Sequence, residues 1–182
     1  MILFRVFPYD AGAAPDQPGG ALFVPTGTGA GRIDNPDLYD VMYVAESAAA
    51  AVAETFGRLA VWRGSTFTHA IGLRYALGAY TLPDGVRLFG LDDLDALRSI
   101  GVAHPSEVVT RDRMKTQAWA RTIFSRSGFA GIRWWSYYNP DWSVAGMWDV
   151  RRLRVAAAPE PLSPDHGAVR DAASAIVRQV AP

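Results

Sequence analysis

From Ser47 to Leu59 the chain reads Ser-Ala-Ala-Ala-Ala-Val-Ala-Glu-Thr-Phe-Gly-Arg-Leu, and no other stretch limits the fold as tightly. Met42, Tyr43 and Val44 just before it form a short strand-like run, and Ser47 is a good N-cap, so a strand should pass directly into a helix here. At helical spacing Val52, Phe56 and Leu59 fall on one stripe, which can face a core. Ser47, Ala51, Glu54 and Arg58 fall on a second. That stripe carries an acid and a base one turn apart with alanine beneath them, so nothing bulky prevents a ligand from lying against the helix. A solvated i,i+4 Glu-Arg pair on an exposed face accounts for the same spacing. The neighbouring residues favour a ligand site: a glycine-rich loop, Thr-Gly-Thr-Gly-Ala-Gly at 26–31, delivers Arg32, and Tyr43 stands on the apolar run.

With 182 residues and 49% hydrophobic content the chain is long enough for one well-filled domain. Eighteen basic residues balance eighteen acidic ones, which gives no reason to expect nucleic acid or an anionic membrane as partner. The absence of cysteine excludes disulfides, thiolate catalysis and cysteine-type zinc sites. His69, His104 and His166 lie apart from the Arg32–Arg58 stretch and read as surface or hydrogen-bonded residues, and no clustered ligand set points to a metal. The first residues contain no apolar segment of signal-peptide length, and no run approaches a membrane span. A soluble, cytoplasmic protein is expected.

Ile2–Phe7 reads as a first strand, followed by a long loop at 10–31 rich in glycine and proline. A loop of that size is usually functional or disordered. It lacks the Lys-Ser/Thr ending of a P-loop, and no Gly-x-Gly-x-x-Gly opens a helix. Strands are expected at 70–82, 86–91, 131–138, 143–150 and 153–157, and helices at 92–100 and 111–124. A domain over residues 1–158 is then followed by a spacer at 159–164 and a closing helix at 165–180 packed on the same domain. Strands and helices without regular alternation give an α+β class, with a mixed, twisted sheet flanked by helices.

Gly128–Trp142 is the second informative stretch. Strand alternation puts Ile132, Trp134 and Ser136 on one face and Arg133, Trp135 and Tyr137 on the other. A hydroxyl among apolar groups either bonds to backbone or turns toward a ligand. The six tryptophans suit a core and a pocket with flat aromatic walls rather than a nucleic-acid stacking platform, because the basic excess of such platforms is missing.

Taken together, Arg5-Val6, Gly31-Arg-Ile-Asp-Asn-Pro36, Tyr43-Val-Ala-Glu-Ser47, Ala51-Val-Ala-Glu54, Thr116-Gln-Ala-Trp119 and Gly131-Ile-Arg-Trp-Trp-Ser136 resemble the RES domain, a family named for its arginine, glutamate and serine. Ile33 stands where the family usually has tryptophan, and a histidine often found soon after the glutamate is missing. The resemblance implies a fold similar to ADP-ribosyltransferases and an NAD-consuming toxin that breaks the nicotinamide–ribose bond as a glycohydrolase or phosphorylase. It also implies restraint by an Xre-type helix-turn-helix antitoxin. NAD is then substrate rather than resident cofactor, with inorganic phosphate a candidate acceptor. The roles implied are Glu54 stabilising the developing ribosyl cation, Arg32 on the diphosphate, Tyr43 on nicotinamide or ribose, and Ser136 on a ribose hydroxyl or on the Glu54 carboxylate. Arg58 is a candidate for binding a phosphate and Ser47 shares the same stripe besides its cap, while Arg5 is a weaker site candidate, since a strand arginine near the terminus is often only a surface or supporting group. Transfer of ADP-ribose to a protein side chain, or a non-catalytic nucleotide-binding module, remain open alternatives.

Overall fold

The computed structural model describes residues 1–181. In chain order the elements are β1 (Ile2–Tyr9), β2 (Met42–Ala45), α1 (Ala48–Phe56), β3 (Val61–Trp62), β4 (Arg74–Thr81), β5 (Leu88–Gly90), α2 (Leu94–Ser99), α3 (Arg113–Ser125), β6 (Gly131–Trp135), β7 (Ser143–Met147), β8 (Arg154–Val155), β9 (Glu160–Pro161), α4 (Gly167–Ala175) and β10 (Gln179–Val180). Seven strands are ordered β5-β6-β7-β2-β1-β4-β8, and β9 also pairs with β4. Within this sheet only β5 and β6 run parallel. The architecture is α+β with a mixed sheet, consistent with an ADP-ribosyltransferase-like fold.

Alternation along the strands divides the interior in two. Leu3 and Phe7 of β1, Met42 and Val44 of β2 and Tyr80 of β4 face one side, where the 10–31 loop covers them. The Tyr80 hydroxyl donates to the Ala21 carbonyl at 2.6 Å, which ties that loop to the sheet. On the other side Val52, Phe56, Ile132 and Trp134 pack with Ala120 and Ile123 of α3 and Val169 of α4. Ala50 and Ala53 of α1, with Ala168, Ala172 and Ala173 of α4, are all buried, and their small side chains let these two contacting helices approach closely.

The departures from expectation are tertiary in origin. α1 stops at Phe56, so Leu59 is exposed rather than part of the core. A Cβ on Gly57 would lie 2.6 Å from the Tyr138 ring, so the close approach of that ring requires glycine where the helix ends. Residues 159–164 are more than a spacer, because Glu160 and Pro161 pair with Leu77 and Ala76 of β4. The closing helix ends at Ala175, after which Val177 adopts φ +54° and the chain turns to pair β10 with β3 in parallel. Arg178 secures this turn by donating to the Gly57 and Ile176 carbonyls at 2.8 and 2.9 Å. Among the described residues no helix is long and apolar enough to cross a membrane.

β1 and β2 share one registered pair, Phe4 with Ala45, and then diverge. The sheet splits there, and the candidate residues Arg32, Tyr43 and Glu54 gather at the opening.

Candidate active site

The split forms a cleft of about 500 Å³ that takes Arg5 from β1, Tyr43 from β2, Ala51 and Glu54 from α1, and Arg32 from the preceding loop. Trp134 of β6 contributes an aromatic wall and Tyr137 stands at the same cleft. Ser136 is 2% exposed, just past the end of β6, and shares the face of Ile132 and Trp134 as alternation requires. Its hydroxyl donates to Glu54 Oε1 at 2.5 Å and accepts from the Tyr138 N–H at 3.0 Å. The second bond fixes the oxygen and directs the proton at the carboxylate. Ser136 is not itself part of the lining and meets the cleft through its bond to Glu54.

Glu54 keeps solvent access through the cleft. Desolvation by the surrounding protein nevertheless raises its pKa above the ordinary carboxylate range, while the Ser136 hydrogen bond and the Arg32 charge pull it back down. A raised acid pKa has a definite consequence for pH dependence. If the ionised form is the working one, activity rises with pH through the folded-state pKa. Ser136→Ala removes one of the two groups favouring the carboxylate, so the acidic limb of kcat/KM against pH is expected to move to higher pH. An unmoved limb, with the fold intact, would show that the bond does not tune Glu54.

Arg32 is held by the segment that leads into α3 and by α3 itself. Its Nη1 donates to the Val108 and Thr110 carbonyls at 2.6 and 2.9 Å. Thr116 Oγ1 donates to the Arg32 carbonyl at 2.6 Å, and Gln117 Nε2 donates to the Gly29 and Gly31 carbonyls, each at 2.9 Å. The Thr-Gln pair of α3 thus staples the glycine-rich loop so that Arg32 faces Glu54. Burial lowers the Arg32 pKa, as does the nearby Arg113, while Glu54 and Tyr43 act in the opposite sense.

Tyr43 uses both capacities of its hydroxyl within the protein. It donates to Asp34 Oδ1 at 2.6 Å and accepts from the Ile33 N–H at 3.1 Å. Burial, with the hydrogen bond and negative charge of Asp34, raises its pKa far above the usual phenol value, so the group stays neutral. The ring stands edge-on to Trp134 at 6.3 Å between centroids, and both residues line the cleft. Gly31 must lack a side chain here, because a Cβ would lie 2.2 Å from the Tyr43 hydroxyl and 2.4 Å from Asp34 Oδ1. Ile33, the residue in place of the family's tryptophan, is 1% exposed and packs over Gly146, so that exchange alters the core rather than the cleft lining.

Two expected residues are elsewhere. Arg58 follows the end of α1, is exposed, and does not line the cleft; Tyr75 of β4 feels its charge. Helical spacing put it one turn beyond Glu54, but the helix does not reach it. Ser47 caps α1, its Oγ accepting from the Ala50 N–H at 3.1 Å, and is likewise not part of the lining. Arg5, by contrast, is inside: it lines the cleft, donates to the Phe23 carbonyl at 2.8 Å, and burial lowers its pKa. Residue-by-residue reading passed over Asp34, Arg113 and Tyr137. Asp34, two positions after Arg32 in Gly-Arg-Ile-Asp-Asn-Pro, offered a local signal; the other two reach the cleft only through the fold. A second depression of about 630 Å³, lined by Arg87, Arg151, Arg152 and Arg154 with Asp84 and Asp149, contains none of these residues.

No curated protein matches the sequence. Among solved structures, the chain is similar to one in the crystal structure of the M. tuberculosis MbcT-MbcA toxin-antitoxin complex. The TM-score is 0.59 at 18% identity, covering 90% of this chain and 84% of the other. At that identity the likeness concerns the fold. The sequence match is to the RES domain over residues 2–171, which spans Arg32, Tyr43, Glu54 and Ser136, and the chain therefore belongs to the RES domain family.

Proposed function

We propose that this chain is a toxin that consumes NAD by cleaving the bond between nicotinamide and ribose. The observation that carries the reading is the hydrogen bond of 2.5 Å from buried Ser136 to Glu54, a carboxylate lining a cleft that also presents Arg32 and the Tyr43 ring. Nicotinamide in NAD is a cationic leaving group. When the C1′–N bond breaks, its electron pair neutralises the pyridinium nitrogen, so no acid is needed to protonate the departing base. The ribose is left with oxocarbenium character, and a fixed carboxylate beneath C1′ stabilises it. Ser136 holds the carboxylate in place, Arg32 takes a phosphate of the diphosphate, and the Tyr43 and Trp134 rings border the flat base. A water oxygen bonding to C1′ with loss of its proton gives ADP-ribose; a phosphate oxygen in its place gives the 1″-phosphorylated product.

The toxin role draws on family membership and on the similar chain from a toxin-antitoxin complex. We extend it to a helix-turn-helix antitoxin that occupies the cleft. Three arginines against two carboxylates in the lining favour an inserted carboxylate as a mimic of the diphosphate. The test is incubation of the purified chain with NAD, with and without inorganic phosphate, followed by identification of products. Nicotinamide release, suppressed when the antitoxin is added to saturation, is expected. Intact NAD under all acceptor conditions would overturn the enzymatic reading, and undiminished release in the saturated complex would overturn the inhibitory one.

A further inference from the structure

We infer that Arg113 is a second phosphate-binding residue of the cleft, and that it makes the site prefer a dinucleotide, with two phosphates, over a mononucleotide with one. The inference rests on the dinucleotide reading above and adds a residue and a specificity to it.

Arg113 is the first residue of α3 and lines the cleft together with Arg32. Its Nη1 is buried and has no hydrogen-bond partner. A buried, charged donor left unpaired costs free energy, so such an atom needs an explanation. The acceptors around the cleft receive other donors, and none is bonded to the Arg113 side chain. The Val108 and Thr110 carbonyls receive Arg32, and the Arg32 carbonyl receives Thr116. Asp34 is occupied at both oxygens, by the Tyr43 hydroxyl at Oδ1 and by the Gly31 N–H at Oδ2. Glu54 is held by Ser136. Asp112, the residue before, accepts from the Lys115 N–H as the cap of α3. Among the described residues neither Arg32 nor Arg113 forms an ion pair.

Two guanidinium groups are thus held close enough for their charges to oppose each other, on the loop and the helix that Thr116 and Gln117 staple together. Such a pair lowers its energy when an anion enters between its members. A single phosphate satisfies one fork; a diphosphate offers an oxygen set to each. Arg32 acts on the Glu54 carboxylate and Arg113 lines the same cleft, an order that suits a substrate with base, ribose and diphosphate in succession.

Titration calorimetry of wild type, Arg113→Ala and Arg113→Lys with inorganic pyrophosphate, ADP-ribose and AMP, alongside KM and kcat for NAD and nicotinamide mononucleotide, tests the assignment. Arg113→Ala is expected to weaken pyrophosphate and ADP-ribose binding at least tenfold, to leave AMP within about twofold, and to erase the preference for NAD through KM at nearly constant kcat. Arg113→Lys, retaining the charge without the fork, should fall between, and it carries the test if the alanine variant fails to fold. Pyrophosphate and NAD affinities unchanged in a folded Arg113 variant would overturn the clamp while leaving NAD cleavage standing. Pyrophosphate binding that depends on Arg113 in a chain that leaves NAD intact would uphold the anion site and overturn the NAD reading instead.

Discussion

Glu54→Gln is expected to lower NAD turnover by roughly 10²–10³ while leaving NAD affinity near wild type, the size of effect seen when a preorganised group that stabilises transition-state charge is removed. Glutamine keeps an acceptor oxygen for the Ser136 hydroxyl, so the geometry survives and only the charge is lost. Stability should move the other way. Burial raises the Glu54 pKa in the fold, which means the folded chain binds that proton more tightly than the unfolded chain does. Ionising Glu54 therefore reduces stability as pH rises from the unfolded-state pKa through the folded-state one, and above that window the loss is complete. The glutamine variant escapes it, and its melting temperature at neutral pH should equal or exceed that of wild type. Ordinary turnover in this variant would refute the assignment of Glu54; a large drop in melting temperature would refute the electrostatic account of its environment.

Arg32→Ala should act first on binding. Its proposed partner, a diphosphate, is present before and after bond cleavage, so its loss raises KM with less effect on kcat. A hydrogen bond to a charged group contributes about 1.5–3 kcal/mol, which corresponds to roughly 10- to 100-fold in KM. The same substitution leaves the Val108 and Thr110 carbonyls without their donor, so a control is needed. Arg32→Lys retains the charge and one donor but not the fork, and should recover part of the affinity. An alanine variant whose KM for NAD matches wild type would remove Arg32 from the binding site.

Short-range periodicity made much of this site legible in the sequence. The Ser47 cap, the passage from β2 into α1 and the shared face of Ile132, Trp134 and Ser136 depend on residues within a few positions of one another, where helix and strand spacing govern side-chain direction. Arg58 shows where that reasoning stops. Its helical phase was extended past a boundary set by the approach of Tyr138 to Gly57, a contact between distant segments. Arg113 was hidden for the same reason, since helix spacing says nothing about a loop docking across its first turn through Thr116 and Gln117. The two-residue strands β3 and β10 were beyond reach because they lie far apart in the chain and neither run is long enough to show a period.

One cleft should hold NAD with its ribose at Glu54 and its diphosphate at Arg32. A crystal structure of the Glu54→Gln variant soaked with NAD tests it most directly. The nicotinamide ribose C1′ is expected against residue 54, the base bordered by the Tyr43 and Trp134 rings, and the guanidinium groups of Arg32 and Arg113 on the diphosphate. NAD bound instead in the arginine-lined depression around Arg87 and Arg152, or excluded from the Glu54 cleft at saturating concentration, would contradict it.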